Sequence, residues 1–272
     1  MRNGYYQLLN YINMTDTHDV FYYAALNILD HLEEIPNSSI VQVADLCYAS
    51  TATISRLCRR LNYPSFNAFK QDIALTLADF DSGEKMHYPG EVMGELSKQS
   101  VTQLKEEYFQ EIIKSLKYTY AHIRAQDIQE VIELIDQSSR VIFLGFNFTQ
   151  MVSNQFQGTL AHDHKKVLGY TNEASQIELL KETQADDLII LTTITGNYFY
   201  RKPEATALIV KSPAKKVFIT QETKHPSLQA ATKYLHISSD ENVSYIGKYS
   251  VLMIFEMLEL FYTRLQEEKR KK

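Results

Sequence analysis

The stretch Ser39 to Phe69, SIVQVADLCYASTATISRLCRRLNYPSFNAF, constrains the fold more than any other part of the chain. Its apolar residues come at helical spacing in two short bursts separated by only a few residues. In the first burst Val43, Ala44, Leu46 and Cys47 share a face, and Ser39 is placed to cap its start. Tyr48-Ala49-Ser50 makes the turn. In the second burst Ile54, Leu57, Cys58 and Leu61 fall at i, i+3, i+4 and i+7, with Ser50 or Thr51 as the N-cap. That stripe predicts a helix with Ala52, Thr53, Ser55, Arg56, Arg59 and Arg60 toward solvent. Small hydroxyl side chains at the start of such a helix permit close approach to base edges, and arginines further along suit guanine edges or phosphates. The expected DNA contacts are therefore Ser50, Thr51, Thr53, Ser55, Arg56, Arg59 and Arg60. An amphipathic helical hairpin with a merely solvated polar back shows the same pattern, so the spacing leaves both readings open.

The wording of the stretch narrows the choice. EIPNSSIVQVADLCYASTATISRLCRRLNYPSFNAFK resembles the N-terminal domain of the RpiR-type bacterial transcription regulators, in which an I-x-x-x-A helix precedes S-x-A-T-I-S-R-x-x-[KR]-L-x-[YF]-x-S-F-x-x-F. The matching residues are Ala44, Ser50, Ala52, Thr53, Ile54, Ser55, Arg56, Arg60, Leu61, Tyr63, Ser65, Phe66 and Phe69, without a gap. Asn62 stands where the family usually has glycine, and asparagine is the next best residue for a left-handed C-cap. The resemblance implies a helix-turn-helix, with the Ser65–Leu77 helix buttressing the recognition helix.

The chain's 272 residues leave room for two domains. Its net charge of −5 argues against indiscriminate coating of nucleic acid. Between Pro36 and Leu75, however, Arg56, Arg59, Arg60 and Lys70 outnumber Asp45 and Asp72. So modest a local excess suits two copies binding together. No apolar run is long enough to span a membrane, and the opening residues lack the layout of an export signal, so a cytoplasmic location is expected. Cys47 and Cys58, both on inward faces, are expected to be buried thiols.

Helical spacing marks Val20–Glu33 ahead of the motif and Leu96–Ile123 after it. Asp79–Gly94, with its glycines and proline, is the expected boundary. From Ala125 onward the pattern alternates. Apolar runs Arg140–Gly145, Lys166–Gly169, Leu188–Thr193, Val217–Thr220 and Tyr234–Ile237 are separated by helical stretches, and a long helix Gly247–Gln266 closes the chain. That alternation predicts an open parallel sheet covered by helices on both faces. The fold class expected is thus an all-α helix-turn-helix domain followed by an α/β domain. The expected divisions are 1–78, a linker and connector helix at 79–124, a ligand domain at 125–266 and a charged tail at 267–272.

Order and loops of the second half resemble a sugar-isomerase (SIS) domain, which follows the DNA-binding domain in RpiR-type regulators. Where the family has G-x-G-x-S after its first strand, this chain has Gly145-Phe146-Asn147-Phe148-Thr149. Where the family has S-x-S-G-x-[ST] after the third, it has Thr193-Ile194-Thr195-Gly196-Asn197-Tyr198. The resemblance implies a phosphosugar effector held by Asn147, Thr149, Thr193, Thr195, Gly196 and Asn197. Threonine keeps each hydroxyl, but Asn147 and Tyr198 are bulkier than the family residues, so a domain that has lost its ligand and serves only for pairing is the alternative. A phosphosugar isomerase is a second alternative, with Glu256 and Glu259 as candidate bases. Arg201 and Lys202 are placed to reach a phosphate, and His162-Asp163-His164 is a weak candidate cluster. No catalytic residue, metal or cofactor is assigned. The partners expected are an operator of inverted half-sites, a sugar phosphate and a second copy of the chain.

Overall fold

The computed structural model describes residues 4–81, 98–171, 173–238 and 244–271. It divides into two compact units, Met1–Gly94 and Glu95–Lys272. Most of the expected boundary stretch, including Gly83, Pro89 and Gly90, lies outside the described residues.

The first unit is helical: α1 (Gly4–Met14), α2 (Val20–Asp30), α3 (Ile40–Leu46), α4 (Thr51–Arg60) and α5 (Phe66–Asp81), with a 3-10 turn at Ile35–Asn37. The starts of α2, α3 and α4 are fixed by caps. Asp19 accepts the amides of Phe21 and Tyr22, Ser39 and Gln42 form a reciprocal capping box, and Ser50 accepts the Thr53 amide. The core gathers Leu8, Ile28, Ile35, Val43, Ile54, Leu57, Phe69 and Ile73 at zero exposure. Cys47 and Cys58 are buried free thiols, and desolvation pushes Cys47 up to about 11 and Cys58 to about 12.

The second unit begins with α6 (Val101–His122), capped by a Ser100–Gln103 box, and α7 (Ala125–Gln137). Five parallel strands follow: β1 (Arg140–Leu144), β2 (Lys166–Leu168), β3 (Asp187–Thr192), β4 (Lys215–Thr220) and β5 (Lys233–His236). Between them run α8 (Asn147–His162), α9 (Glu173–Lys181), α10 (Asn197–Arg201) and α11 (Pro203–Lys211), with a 3-10 turn at Pro226–Ala230, and α12 (Ser244–Arg270) ends the chain. The strand order is β2-β1-β3-β4-β5.

Alternate side chains leave the sheet on opposite faces. Val141, Phe143, Leu188, Ile190, Val217 and Ile219 join Ile132, Phe156, Ile254 and Leu258 in one core; Ile142, Leu144, Ile189, Leu191 and Phe218 join Leu180, Tyr198 and Ile209 in the other. The expected fold class is therefore the observed one: a helical first unit and a doubly covered parallel sheet.

Two elements differ from the sequence expectation. The helical stretch expected between the last two apolar runs, over Leu228–Ala231, is instead the 3-10 turn Pro226–Ala230. The closing helix runs past Gln266 to Arg270, because Lys269 pairs with Asp136 at 2.5 Å and Arg270 with Asp163 at 2.7 Å. Val101–His122 packs on α12 through buried hydroxyls, Ser115 and Thr119 lying 3.0 and 2.8 Å from Ser250.

Candidate DNA-binding helix and ligand crevice

The ends of α3 and α4 are each set by a left-handed residue. Tyr48 stands at φ 51, and the Ala49 amide reaches back to the Ala44 carbonyl at 2.9 Å. At the end of α4, Asn62 stands at φ 63 while the Tyr63 amide reaches the Cys58 carbonyl at 2.8 Å. Both are Schellman ends, and the second is the left-handed C-cap expected of Asn62. Tyr63 then donates to Asp72 at 2.5 Å and meets Phe69 edge-on at 5.2 Å, fastening α5 behind α4.

On α4 the buried residues include Ile54, Leu57 and Cys58. Thr51, Ala52, Arg56 and Arg59 are exposed and Ser55 is half-buried. Ala52, Ser55, Arg56 and Arg59 recur at i, i+3, i+4 and i+7 and so share one narrow face of the helix.

Two expected contacts lie beside that stripe, Thr53 buried and Arg60 exposed. Thr53, expected toward solvent, is buried with its hydroxyl 2.9 Å from that of Ser50. Arg60, seven residues on and hence on the same flank, lies 3.9 Å over the Phe21 ring and donates to the Tyr11 hydroxyl at 3.2 Å. It also pairs with Asp19 at 3.5 Å. The flank packs toward α2, so these two residues border the core as much as the solvent. Tyr48, 93% exposed at the head of the turn, is a contact candidate that the sequence reading passed over.

In the second unit the strand order turns back between β1 and β3, and an open parallel sheet leaves a crevice at the carboxyl ends of such strands. Gly145 and the Thr193–Asn197 loop flank it. Beside Gly145 an added Cβ would stand 2.5 Å from the Thr149 hydroxyl and 3.2 Å from the Thr192 carbonyl, so no larger residue fits. The Thr149 hydroxyl accepts from the Phe146 amide at 2.9 Å and donates to the Phe146 carbonyl at 3.0 Å. Thr193 Oγ1 accepts the Tyr198 amide at 3.1 Å. Both hydroxyls thus hold their own loops. Thr195 is half-buried, Asn197 is exposed, and Asn147 is the first residue of α8, its side chain outside the described set.

Gly196 stands at φ 76, and a Cβ there would lie 2.7 Å from the Glu222 Cβ. Both conformation and space exclude a side chain. Gly196→Ala is expected to cost about 1–3 kcal/mol of stability, read as a shifted urea midpoint for the second unit.

Tyr198 is fully buried, donates to Gln176 at 2.8 Å and meets the Phe146 ring at 5.0 Å. Lys202 turns inward and pairs with Glu173 at 2.5 Å. Two buried polar atoms near the crevice, Thr192 Oγ1 and Gln150 Oε1, have no hydrogen-bond partner among the described residues. Sequence reasoning missed both, because Thr192 reads as a strand residue and Gln150 as a helical one. Of the expected cluster at 162–164, His164 is the left-handed end of α8, at φ 61, and Asp163 is engaged by Arg270.

Comparison with known proteins places this geometry. A family model described as MOR2-PAG1_C, cell morphogenesis C-terminal, matches residues 17–159, and by the extent of that match the chain counts as a member. That span starts ahead of α2, crosses from one unit into the other and stops inside α8, so it takes in neither core whole. Relatives that cover both units are of another kind. An HTH-type transcriptional regulator encoded in the aarA 3' region of Providencia stuartii is 20% identical over 249 residues, 89% of this chain and 84% of that protein. The Vibrio vulnificus NanR protein, solved in complex with ManNAc-6P, superposes over 99% of this chain and 94% of that one with a TM-score of 0.53 at 17% identity. In fold and in these relatives the chain is similar to the RpiR-type regulators with a SIS domain. The sugar isomerase domain of an RpiR transcription factor from Sphaerobacter thermophilus has the same fold as its second unit, with a TM-score of 0.51 at 17% identity over 61% of this chain and 93% of that one. On that likeness α3–α4 corresponds to the helix-turn-helix and the sheet with its crevice to the SIS fold. No helix among the described residues is long and apolar enough to cross a membrane.

Proposed function

We propose that this regulator binds specific DNA sequences controlling carbohydrate metabolism genes in the cytoplasm, and that a phosphosugar in the SIS crevice modulates the binding. The observation that carries the reading is the exposed stripe Ala52, Ser55, Arg56 and Arg59 on a helix capped at both ends. A rigid short helix with small residues first and arginines later suits the major groove. The NanR relative was solved with ManNAc-6P, which supports a sugar phosphate as the effector class. Two copies reading inverted half-sites supply the affinity that one weakly basic unit lacks.

Control then follows from linkage. The effector must bind the DNA-competent and incompetent arrangements unequally, and DNA must alter effector affinity by the same factor. A coupling of about 1–3 kcal/mol gives roughly 5–150-fold regulation.

A regulator accounts for the chemistry better than an isomerase does. Thr149 and Thr193 are spent on loop caps, and Glu259 accepts from Thr159 at 2.6 Å. Gly247, near the start of α12, lies against Ile194 of the crevice loop, and Glu256 stands nine residues further along, about 14 Å at helical rise.

Thr195→Val tests the crevice. It removes a hydroxyl donor and keeps the shape, so the phosphosugar response should disappear with the melting temperature of the free protein unchanged. A thermal-shift series with hexose and aminohexose phosphates reads both. An unaltered response in the variant would remove this loop from the effector site, and turnover of any of these sugars would restore the isomerase.

A further inference from the structure

The loop after β3 does not face solvent alone. Glu222, in the loop after β4, lies directly against it: an added Cβ on Gly196 would stand 2.7 Å from Glu222 Cβ and 2.9 Å from Glu222 Oε2. The carboxylate is fixed from three sides. Oε1 accepts the Lys224 amide at 2.7 Å and the His225 amide at 3.2 Å, and Oε2 accepts from the Tyr200 hydroxyl at 3.1 Å. Tyr200 and Phe199 in turn pack on the His225 ring, each with centroids 4.8 Å apart. Burial raises the pKa of Glu222, but these hydrogen bonds outweigh it and hold the group below the ordinary carboxylate range. A permanent negative charge therefore borders the loop that is read here as the effector seat.

We propose that Glu222 is a charge-selecting residue of the crevice, lowering the affinity of the 193–197 loop for doubly charged phosphate monoesters relative to singly charged esters of the same sugar. The inference rests on the reading that this loop holds the effector. Repulsion scales with ligand charge, so a phosphate ester, close to −2 at neutral pH, is penalised more than a sulfate ester at −1. Salt screens the penalty where the site is open to water.

The test uses the full chain as wild type, Glu222→Gln and Tyr200→Phe, with calorimetric titration of glucose 6-phosphate and glucose 6-sulfate at low and high salt. Glutamine keeps a carbonyl for the Lys224 and His225 amides, and Tyr200→Phe removes a hydrogen bond while leaving the charge. Glu222→Gln is expected to tighten glucose 6-phosphate about 3–30-fold at low salt, with a smaller gain for the sulfate ester and a gain that shrinks at high salt. Tyr200→Phe should retain the wild-type preference between the two esters. If wild type binds the phosphate ester and Glu222→Gln binds it equally or less, or gains equally for both esters, the selecting role is overturned and the crevice reading stands. If neither wild type nor Glu222→Gln binds either ester, the inference and the crevice reading both fall.

Discussion

Arg56→Ala combined with Arg59→Ala is expected to weaken binding to a wild-type-selected genomic fragment by roughly 2–6 kcal/mol, and to flatten its salt dependence. Each arginine that reads a base edge is worth about 1–3 kcal/mol of discrimination, and one that meets a phosphate contributes less but lowers the salt slope by about one. Both side chains are exposed, three residues apart, on the stripe that begins with Ala52 and Ser55. Arg60→Ala serves as the contrast. Its guanidinium is occupied by Phe21, Tyr11 and Asp19, so its loss should appear in the stability of the first unit before it appears in DNA affinity. Gel-shift or anisotropy titration against salt separates the three. Unchanged binding in the double variant would remove α4 from the interface.

The second large effect is expected in the sheet. Arg140 opens β1 opposite Asp187, the first residue of β3, and the two meet in a bidentate pair at 2.9 and 2.6 Å. Asp187 Oδ2 also accepts the Gln184 amide at 2.8 Å. Burial raises the Asp187 pKa, but the bonds from Arg140 and the Gln184 backbone outweigh it, so the folded-state pKa is lowered.

A lowered pKa contributes stability that is present above the unfolded carboxylate value near about 4 and is lost as pH falls through the folded value. Asp187→Asn leaves the 15%-exposed Arg140 side chain without its counter-charge and should cost about 3–5 kcal/mol, with a shallower acid limb of the stability curve. Arg140→Met with Asp187→Leu, which removes both charges, should recover most of that loss. Denaturant melts followed by far-UV circular dichroism at pH 7 and pH 4 measure both effects. Equal losses in the single and double variants would show that the pair itself, rather than the stranded charge, carries the energy.

Much of this was legible before any coordinates. Ile54, Leu57, Cys58 and Leu61 fell inward because four apolar residues at helical spacing admit one orientation. The five strands were legible because continuous apolar runs between helices have few other uses. Thr53 was misplaced because positions at the edge of an apolar stripe are decided by what packs beside them, whereas Arg60 is exposed as expected and leans on α2 and its preceding loop. Tyr48 and His164 gave no sign of left-handed backbone, since neither is glycine or asparagine, whereas Asn62 did.

Contacts distant in sequence were out of reach. Lys202 reads as a solvated cation until Glu173 is seen 2.5 Å away, and Glu222 reads as a loop residue until Gly196 is found against it. The loops at 145–149 and 193–198 stand at the carboxyl ends of β1 and β3, as their place in the strand pattern implied. Which of their hydroxyls hold the loops, as Thr149 and Thr193 do, is a matter of hydrogen-bond geometry that spacing does not encode.

The most direct measurement is competitive selection of genomic fragments by the purified full chain, with and without a panel of sugar phosphates, at fixed salt. The account predicts enrichment of a fragment carrying inverted half-sites, bound at least about a thousandfold more tightly than random duplex, with an affinity that shifts when one sugar phosphate is added. Equal binding to all fragments under every condition would contradict it.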